Sequence, residues 1–154
     1  MATEADTGLA FHPMDQFMVK PLFGAEGRGI ARLSDPALAD RAFRMLAQLG
    51  AVLYVQQFIP HDGFDQRVLV VGRKMWGMQR SNPNDWRTNV SRGAKATPLE
   101  VTSELALLAR YATDALGALV AGVDLLPARD GNLYVLEVNA VPGWQALSRA
   151  LGVD

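Results

Sequence analysis

The spacing of hydrophobic positions alternates along the chain between period two and period 3.6, which predicts both strands and helices. Residues 1–16 show only weak periodicity and are expected to form a lead-in. Residues 17–20 form a short apolar run that stops at Pro21, a pattern typical of a strand. The folded part is therefore expected to span residues 17–154.

Two segments carry the start signals and the apolar spacing of helices. Asp35 and Pro36 suit an N-cap and a first helical position, and Gly50 would end the helix that follows. The sequence Thr-Pro-Leu-Glu at residues 97–100 matches a capping box with proline at the first helical position. Apolar residues recur at helical spacing after each start, at Leu38, Ala42, Met45, Leu46 and Leu49, and at Leu105, Leu108, Ala112, Leu116 and Leu119. Two main helices are expected.

Turn residues divide the other apolar stretches into short strands, which are expected at residues 52–59, 66–71, 74–79, 123–126 and 133–138. The polar and basic residues 80–96 are expected to form a loop. Each predicted strand pair is antiparallel, and helices are interspersed among the strands. This order favours the α+β class over a doubly wound α/β fold.

The last predicted hairpin brings candidate metal ligands together. Asp130 and Gly131 are the preferred pair for a two-residue type I′ turn. Such a turn places Asp124 opposite Glu137, with Asn139 on the same face as Glu137. Opposed carboxylates repel each other unless a cation lies between them, and oxygen ligands suit magnesium or manganese. A solvated acidic surface is the alternative.

A glycine-rich loop and a set of cations indicate a phosphate site. Gly24, Gly27 and Gly29 would let backbone N–H groups approach phosphate oxygens, and Lys20 precedes them as a point charge. Their spacing matches neither the dinucleotide fingerprint nor the P-loop, so a plain hairpin turn is the alternative. Further cations follow at Arg67, Arg80, Arg87, Arg92 and Lys95. An ordinary solvated loop would also explain them.

Composition limits the possible functions. The 154 residues include no cysteine and two histidines, which excludes disulfides, thiolate chemistry and a multi-histidine metal site. A formal net charge of −1 gives no general attraction to nucleic acid or to anionic membranes. The acidic N-terminus and the short apolar runs are unlike a signal peptide or a membrane span, so a cytoplasmic protein is expected.

Five segments in order resemble motifs of RimK-like ligases of the ATP-grasp family. Residues 19–30 are similar to the phosphate-covering loop, residues 56–60 to the adenine hinge and residues 65–72 to the Asp-x-Arg strand. Residues 86–93 are similar to the catalytic loop, and residues 122–124 together with 136–144 are similar to the metal-binding ending. Gln57 stands where the hinge usually has an acidic residue. The resemblance covers residues 17–154, the C-terminal portion of the family's fold. The family's N-terminal domain would lie upstream, so we expect a fragment, a short product or half of a split enzyme.

The resemblance also implies roles for individual residues. Lys20 and the loop glycines would contact ATP phosphate, Gln57 and Phe58 would border the adenine, and Asp65 would hold the ribose or the hinge. The nucleotide and the acyl phosphate would be lined by Arg67, Arg87, Thr88 and Asn89. Catalytic roles would fall to Arg87 and Arg92. Mg²⁺ or Mn²⁺ would be held by Asp124, Glu137 and Asn139.

The implied reaction is ATP-dependent carboxylate–amine ligation through an acyl phosphate. Glutamate is the expected amine donor, and the acceptor is an unidentified carboxylate. A homo-oligomer or an upstream-domain partner is also expected, whereas nucleic acid and membranes are not. The alternative is a non-catalytic module that binds ATP and magnesium.

Overall fold

The computed structural model describes residues 16–21, 29–50 and 52–152. The predicted lead-in, except residue 16, and the glycine-rich loop, except Gly29, lie outside these ranges. The chain divides into two compact units, Met1–Phe58 and Ile59–Asp154. No helix among the described residues is long and apolar enough to cross a membrane.

The first unit contains a three-stranded antiparallel sheet of order β2-β1-β3 and one helix. Its elements are β1 (Phe17–Pro21), β2 (Ala31–Leu33), α1 (Pro36–Gln48) and β3 (Leu53–Gln57). The predicted start of α1 is confirmed, because the Asp35 carboxylate accepts hydrogen bonds from Ala37 N and Leu38 N at 2.8 and 3.0 Å. The predicted stop is also confirmed, since Gly50 follows the helix with a φ of 68°.

The second unit contains a five-stranded antiparallel sheet of order β6-β5-β4-β7-β8. Its elements are β4 (Phe64–Val71), β5 (Lys74–Ser81), a short 3₁₀ helix (Val90–Arg92), β6 (Lys95–Leu99), α2 (Ser103–Ala115), β7 (Val120–Pro127), β8 (Leu133–Asn139) and α3 (Gln145–Leu151). Among the described residues, every strand pair is antiparallel, so the predicted α+β class is confirmed.

Helix α2 packs on one face of the larger sheet. Its Leu105 and Ala109 join a buried apolar cluster with Val68 and Val70 of β4 and with Val123 and Leu125 of β7. Removing these side chains from water is the main stabilising term of the unit. Because side chains alternate along a strand, residues next to these valines point to the opposite face, where polar groups collect.

The predicted capping box at residues 97–100 is wrong. Thr97 and Pro98 lie in β6, an edge strand that tolerates a residue without an N–H group. Helix α2 begins five residues later, with Thr102 as N-cap accepting from Leu105 N at 3.3 Å. The predicted apolar face is also too long, because Leu116 and Leu119 follow the helix and are 66% and 80% exposed.

The predicted loop at residues 80–96 is shorter than expected. Strand β5 continues to Ser81 and β6 begins at Lys95, so residues 82–94 form the connection. Helix α3 was not predicted, and it contacts β6 and β5. Seven residues carry too few periodic positions to identify a helix from sequence.

The predicted two-residue turn at Asp130 and Gly131 is also wrong. Ala128 N donates to Asn132 O at 2.9 Å, so the connection is a three-residue loop, with Gly131 in the left-handed region at a φ of 85°. This loop shifts the register by one residue, and Leu125 pairs with Val135. An irregularity between Asp124 and Leu125 restores the predicted register beyond that point.

Candidate functional site

The polar face of the larger sheet places Asp124 beside two arginines. Arg67 pairs directly with Asp124 across β4 and β7, and its Nε and Nη2 donate to the two carboxylate oxygens at 2.5 and 2.7 Å. Arg80 Nη2 donates to Asp124 Oδ2 at 2.9 Å. Asp124 is only 6% exposed, so both ion pairs are largely shielded from water.

Arg80 also binds Asp65, its partner in the β4–β5 register. Arg80 Nε donates to Asp65 Oδ1 at 2.7 Å, and Arg80 Nη2 donates to Asp65 Oδ2. Thr88 Oγ1 donates to Asp65 Oδ2 at 2.6 Å, which ties the 82–94 connection to the sheet. Asp65 and Arg80 are each 3% exposed. A role of Asp65 in holding the ribose or the hinge stays a prediction, and the contacts present here are to Arg80 and Thr88.

The two buried carboxylates respond differently to their surroundings. Burial raises the pKa of Asp65 above its ordinary 3.8, outweighing the hydrogen bond and charge of Arg80. Burial also disfavours ionised Asp124, but the hydrogen bond from Arg67 and the charges of Arg80 and Arg67 outweigh it and hold the pKa of Asp124 below 3.8. Arg80 remains a cation, because the charge of Asp124 and the contact with Asp65 raise its pKa despite burial.

Glu137 lies directly opposite Asp124, as predicted from the sequence. Its side chain is exposed and makes no hydrogen bond or ion pair with the residues that the structure describes. Asn139 pairs with Gly122, two residue pairs further along the strands and on the same face, and its Oδ1 accepts from Val141 N at 2.9 Å.

The oxygen donors of Asp124, Glu137 and Asn139 are of the kind that hard divalent cations bind. In the described ranges, no three His, Cys, Asp or Glu side chains form a group that could hold a metal ion. A site here would instead combine the two opposed carboxylates with the Asn139 amide oxygen, a donor set suited to magnesium. Each carboxylate oxygen has about two acceptor positions, so the arginine contacts leave acceptor capacity on Asp124.

The backbone of Gly122 lies close to Pro142, beside the candidate metal ligands. A Cβ atom added to Gly122 would be 2.8 Å from Pro142 Cβ and 3.9 Å from Cδ and Nε of Arg67. Pro142 is buried, so the segment after β8 passes over β7 beside the Arg67 side chain. The glycine permits this approach.

The 82–94 connection carries the other predicted groups of this unit. Arg87 is half-buried, and its Nη2 lies 2.7 Å from Asp85 Oδ2. This contact raises the pKa of Arg87 and lowers that of Asp85. Asn89 precedes the 3₁₀ helix, and Arg92, at the end of that helix, is exposed.

Sequence reasoning missed Asn82, which organises this connection. Its buried Nδ2 group donates to Arg87 O and Arg92 O at 3.2 and 3.3 Å, while its Oδ1 accepts from Asn84 N at 3.1 Å. The Asn-Pro-Asn turn signal at residues 82–84 was the available clue.

The first unit holds the remaining predicted site residues. Lys20 Nζ donates to Gln56 Oε1 at 2.7 Å and lies 5.8 Å from the centre of the Tyr54 ring. Gln57 is exposed, whereas Phe58 is buried with the Arg32 guanidinium 3.8 Å above its ring centre. Gly29 has a φ of 72°. The predicted contacts of Gly24 and Gly27 lie outside the described residues.

Comparison with known proteins identifies related sequences over most of the chain. The chain is 34% identical over 151 residues to the tetrahydromethanopterin:alpha-L-glutamate ligase of Methanococcus maripaludis, covering 95% of this chain and 51% of that protein. It is 37% identical over 140 residues to a probable alpha-L-glutamate ligase of Histophilus somni, covering 89% and 46%. The chain thus spans about half the length of the curated relatives it matches.

The fold is also that of known ligases. The solved ATP-grasp ligase PsnB, complexed with a variant of its minimal precursor, Mg and ADP, aligns with a TM-score of 0.67 at 21% identity, over 90% of this chain and 42% of PsnB. The family model described as RimK-like ATP-grasp domain matches residues 13–154. The chain therefore belongs to the RimK-like ATP-grasp family.

Proposed function

We propose that this chain supplies the C-terminal, metal-holding part of an ATP-dependent carboxylate–amine ligase. The observation that carries the proposal is the row of Arg67, Asp124 and Glu137 on the polar face, within a domain of the RimK-like ATP-grasp family. Opposed carboxylates beside buried guanidinium groups are suited to a metal-bound polyphosphate and to the negative charge that develops during phosphoryl transfer.

The proposed reaction has two steps. A carboxylate oxygen of the acceptor attacks the γ-phosphorus of ATP, which forms an acyl phosphate and releases ADP. The amine of the donor then attacks the acyl carbon, which forms an amide and releases phosphate and a proton. Glutamate is the proposed donor because both curated relatives described above carry alpha-L-glutamate ligase in their names.

Every predicted site residue except Asp65 has a role in this scheme. Asp124, Glu137 and Asn139 would hold Mg²⁺ or Mn²⁺, which would neutralise charge on the transferred phosphoryl group. Lys20 would bind phosphate oxygens, with the loop glycines Gly24, Gly27 and Gly29, while Gln57 and Phe58 would border the adenine. Arg67, Arg87, Thr88, Asn89 and Arg92 would line the nucleotide and the acyl phosphate.

The structure supports a different role for Asp65. Arg80 and Thr88 donate to its carboxylate, which is 3% exposed. We infer that Asp65 anchors the 82–94 connection rather than binding ribose directly.

The expected cytoplasmic location is part of the proposed function, because ATP is available in the cytoplasm.

Phosphate release tests the proposal. The chain would be given ATP, Mg²⁺, glutamate and a panel of carboxylate acceptors, alone and joined to the upstream half of a related glutamate ligase. The proposal predicts phosphate release that depends on both glutamate and acceptor and equals the amide formed. Nucleotide binding without turnover in either form would favour the alternative, a non-catalytic ATP- and magnesium-binding module.

A further inference from the structure

The two arginines at Asp124 differ in how firmly they are held. The Arg80 side chain is 4% exposed and also binds Asp65, so it has two carboxylate partners. The Arg67 side chain is 15% exposed, and Asp124 is its only ion-pair partner among the described residues. Arg67 is therefore the guanidinium that can leave Asp124 while the Arg80–Asp65 and Arg80–Asp124 ion pairs stay in place.

The position of Arg67 overlaps the proposed metal site. Its Nε and Nη2 bond to both oxygens of Asp124. Its Cδ and Nε lie 3.9 Å from the Cβ position of Gly122, the residue that pairs with Asn139. A cation bound between Asp124, Glu137 and Asn139 would therefore share its carboxylate with a positive charge already in place.

The charges of the buried network are balanced without a metal ion. Asp65 and Asp124 supply two negative charges, and Arg67 and Arg80 supply two positive charges. Among the residues that the structure describes at this row, only Glu137 adds an uncompensated negative charge. Such a site attracts a free divalent cation weakly, because the cation must overcome repulsion by both guanidinium groups.

We propose that Arg67 is a built-in competitor for the cation at Asp124. It pairs with Asp124 when no metal is bound, and it is released toward an incoming anion, such as a phosphate group, when the metal arrives. This inference rests on the metal site of the proposed function. It opposes the usual expectation that a residue bonded to a metal ligand supports metal binding.

If Arg67 competes with the cation, removing its charge should raise the affinity for Mn²⁺; if Arg67 supports metal binding, the same change should lower that affinity. Binding of Mn²⁺ in the absence of nucleotide would be measured from the decrease in the electron paramagnetic resonance signal of free Mn²⁺. The wild-type chain would be compared with Arg67→Gln, which removes the charge and keeps a hydrogen-bond donor. If Arg67 competes with the cation, Arg67→Gln should bind Mn²⁺ more tightly than the wild type by a factor of at least about ten. Equal or weaker binding would overturn the proposal.

Arg73→Gln is the matched control. Arg73 is exposed in the β4–β5 turn, six residues from Arg67. Because the chain reverses after Val71, Arg73 lies about five strand positions from Arg67, roughly 16 Å at about 3.3 Å per position, which is beyond the screening length of about 8–10 Å. This variant loses the same charge and is expected to bind Mn²⁺ like the wild type. An equal gain in both variants would show a general charge effect and overturn the proposal.

Two further variants separate this inference from the metal site itself. Glu137→Gln and Asp124→Asn should weaken Mn²⁺ binding in the wild-type and Arg67→Gln backgrounds. If they do, and Arg67→Gln binds no more tightly than wild type, only the competitor role fails. If neither variant alters binding, or no Mn²⁺ binds in any background, the metal site fails and the competitor role fails with it.

A measurement on the wild-type chain covers the case in which Arg67→Gln does not fold. The Arg67 Nε–H resonance is followed by NMR while Mg²⁺ is added. Release from Asp124 predicts faster exchange of that proton with water as the metal site fills. Unchanged exchange at saturating Mg²⁺ would contradict the proposal.

Discussion

Asp124 and Glu137 lie directly opposite each other on β7 and β8, although the hairpin register shifts by one residue between Asp124 and Leu125. The three-residue loop displaces the strands by one position, and the irregularity next to Asp124 cancels that displacement. Because a shift of one residue moves a side chain to the other face, this irregularity keeps Glu137 on the polar face. The proposed metal site therefore depends on it.

Glu137→Gln should abolish Mg²⁺-dependent nucleotide binding with little effect on stability. The Glu137 side chain is exposed and has no partner among the described residues, so the folded chain loses no contact. Calorimetric titration with ADP and Mg²⁺ measures binding, and urea unfolding measures stability. Glu100→Gln, at another exposed glutamate, is the control and should bind like the wild type. Unchanged binding in Glu137→Gln would remove this residue from the site.

Arg80→Met should destabilise the second unit by about 3–5 kcal/mol, because it leaves two buried carboxylates without their shared cation. Arg80 contacts both Asp65 and Asp124. Arg129→Met is the control, since the Arg129–Asp62 pair has side chains 65% exposed and such pairs contribute about 0–1 kcal/mol. Urea unfolding measures both variants. A similar small loss in each would contradict the buried network.

Asp65 and Asp124 should contribute to stability with opposite dependence on pH. The pKa of Asp124 is lowered from 3.8, so its contribution is present above about pH 4 and is lost as pH falls through the depressed pKa. The pKa of Asp65 is raised from 3.8, so its contribution is complete in acid and is lost as pH rises through the folded-state pKa.

The free energy of unfolding would be measured against pH, in the presence of a chelator, for the wild type, Asp124→Asn and Asp65→Asn. The advantage of the wild type over Asp124→Asn should shrink toward low pH, whereas its advantage over Asp65→Asn should grow. Parallel curves for the two variants would show that the two pKa shifts do not have opposite directions.

Thr88→Val should loosen the 82–94 connection. It removes the hydroxyl that donates to Asp65 at 2.6 Å while keeping the side-chain volume. A hydrogen bond to a charged group contributes about 1.5–3 kcal/mol. Amide hydrogen exchange should accelerate across residues 82–94, and Thr88→Ser should restore protection. If exchange is the same in Thr88→Val and wild type, Asp65 does not anchor this segment.

Gly122→Ala should destabilise the chain by about 1–3 kcal/mol, because the added methyl group overfills the contact with Pro142. The new Cβ would lie 2.8 Å from Pro142 Cβ. Gly143→Ala is a close control, since an added Cβ there has no atom within 4 Å and the backbone is not left-handed. It should change stability by less than about 0.5 kcal/mol. Equal effects would contradict the close approach.

Local signals predicted much of the fold. Asp35 and Gly50 delimit α1 as expected, because capping and left-handed glycine are decided by neighbours in sequence. The start of α2 was misplaced by five residues, because only pairing with β5 shows that Thr97 and Pro98 belong to an edge strand rather than to the start of a helix. Such pairing is a long-range property.

The candidate site was predictable only in part. The opposition of Asp124 and Glu137 was confirmed, although it arises from a loop and an irregularity that compensate each other rather than from the expected turn. The contacts of Asp124 with Arg67 and Arg80 were not predicted, because they depend on the strand order β5-β4-β7, and local sequence patterns do not determine which strands become neighbours in a sheet. The family resemblance gave no information about these arginine contacts.

The most direct test of the account is calorimetric titration of the folded chain with ADP, with and without Mg²⁺. The proposed site predicts binding that requires Mg²⁺, with a Kd near micromolar, about −8 kcal/mol. Absence of binding by a folded chain in the presence of Mg²⁺, or binding of equal strength without it, would contradict the assignment of Asp124, Glu137 and Asn139 to a metal–nucleotide site.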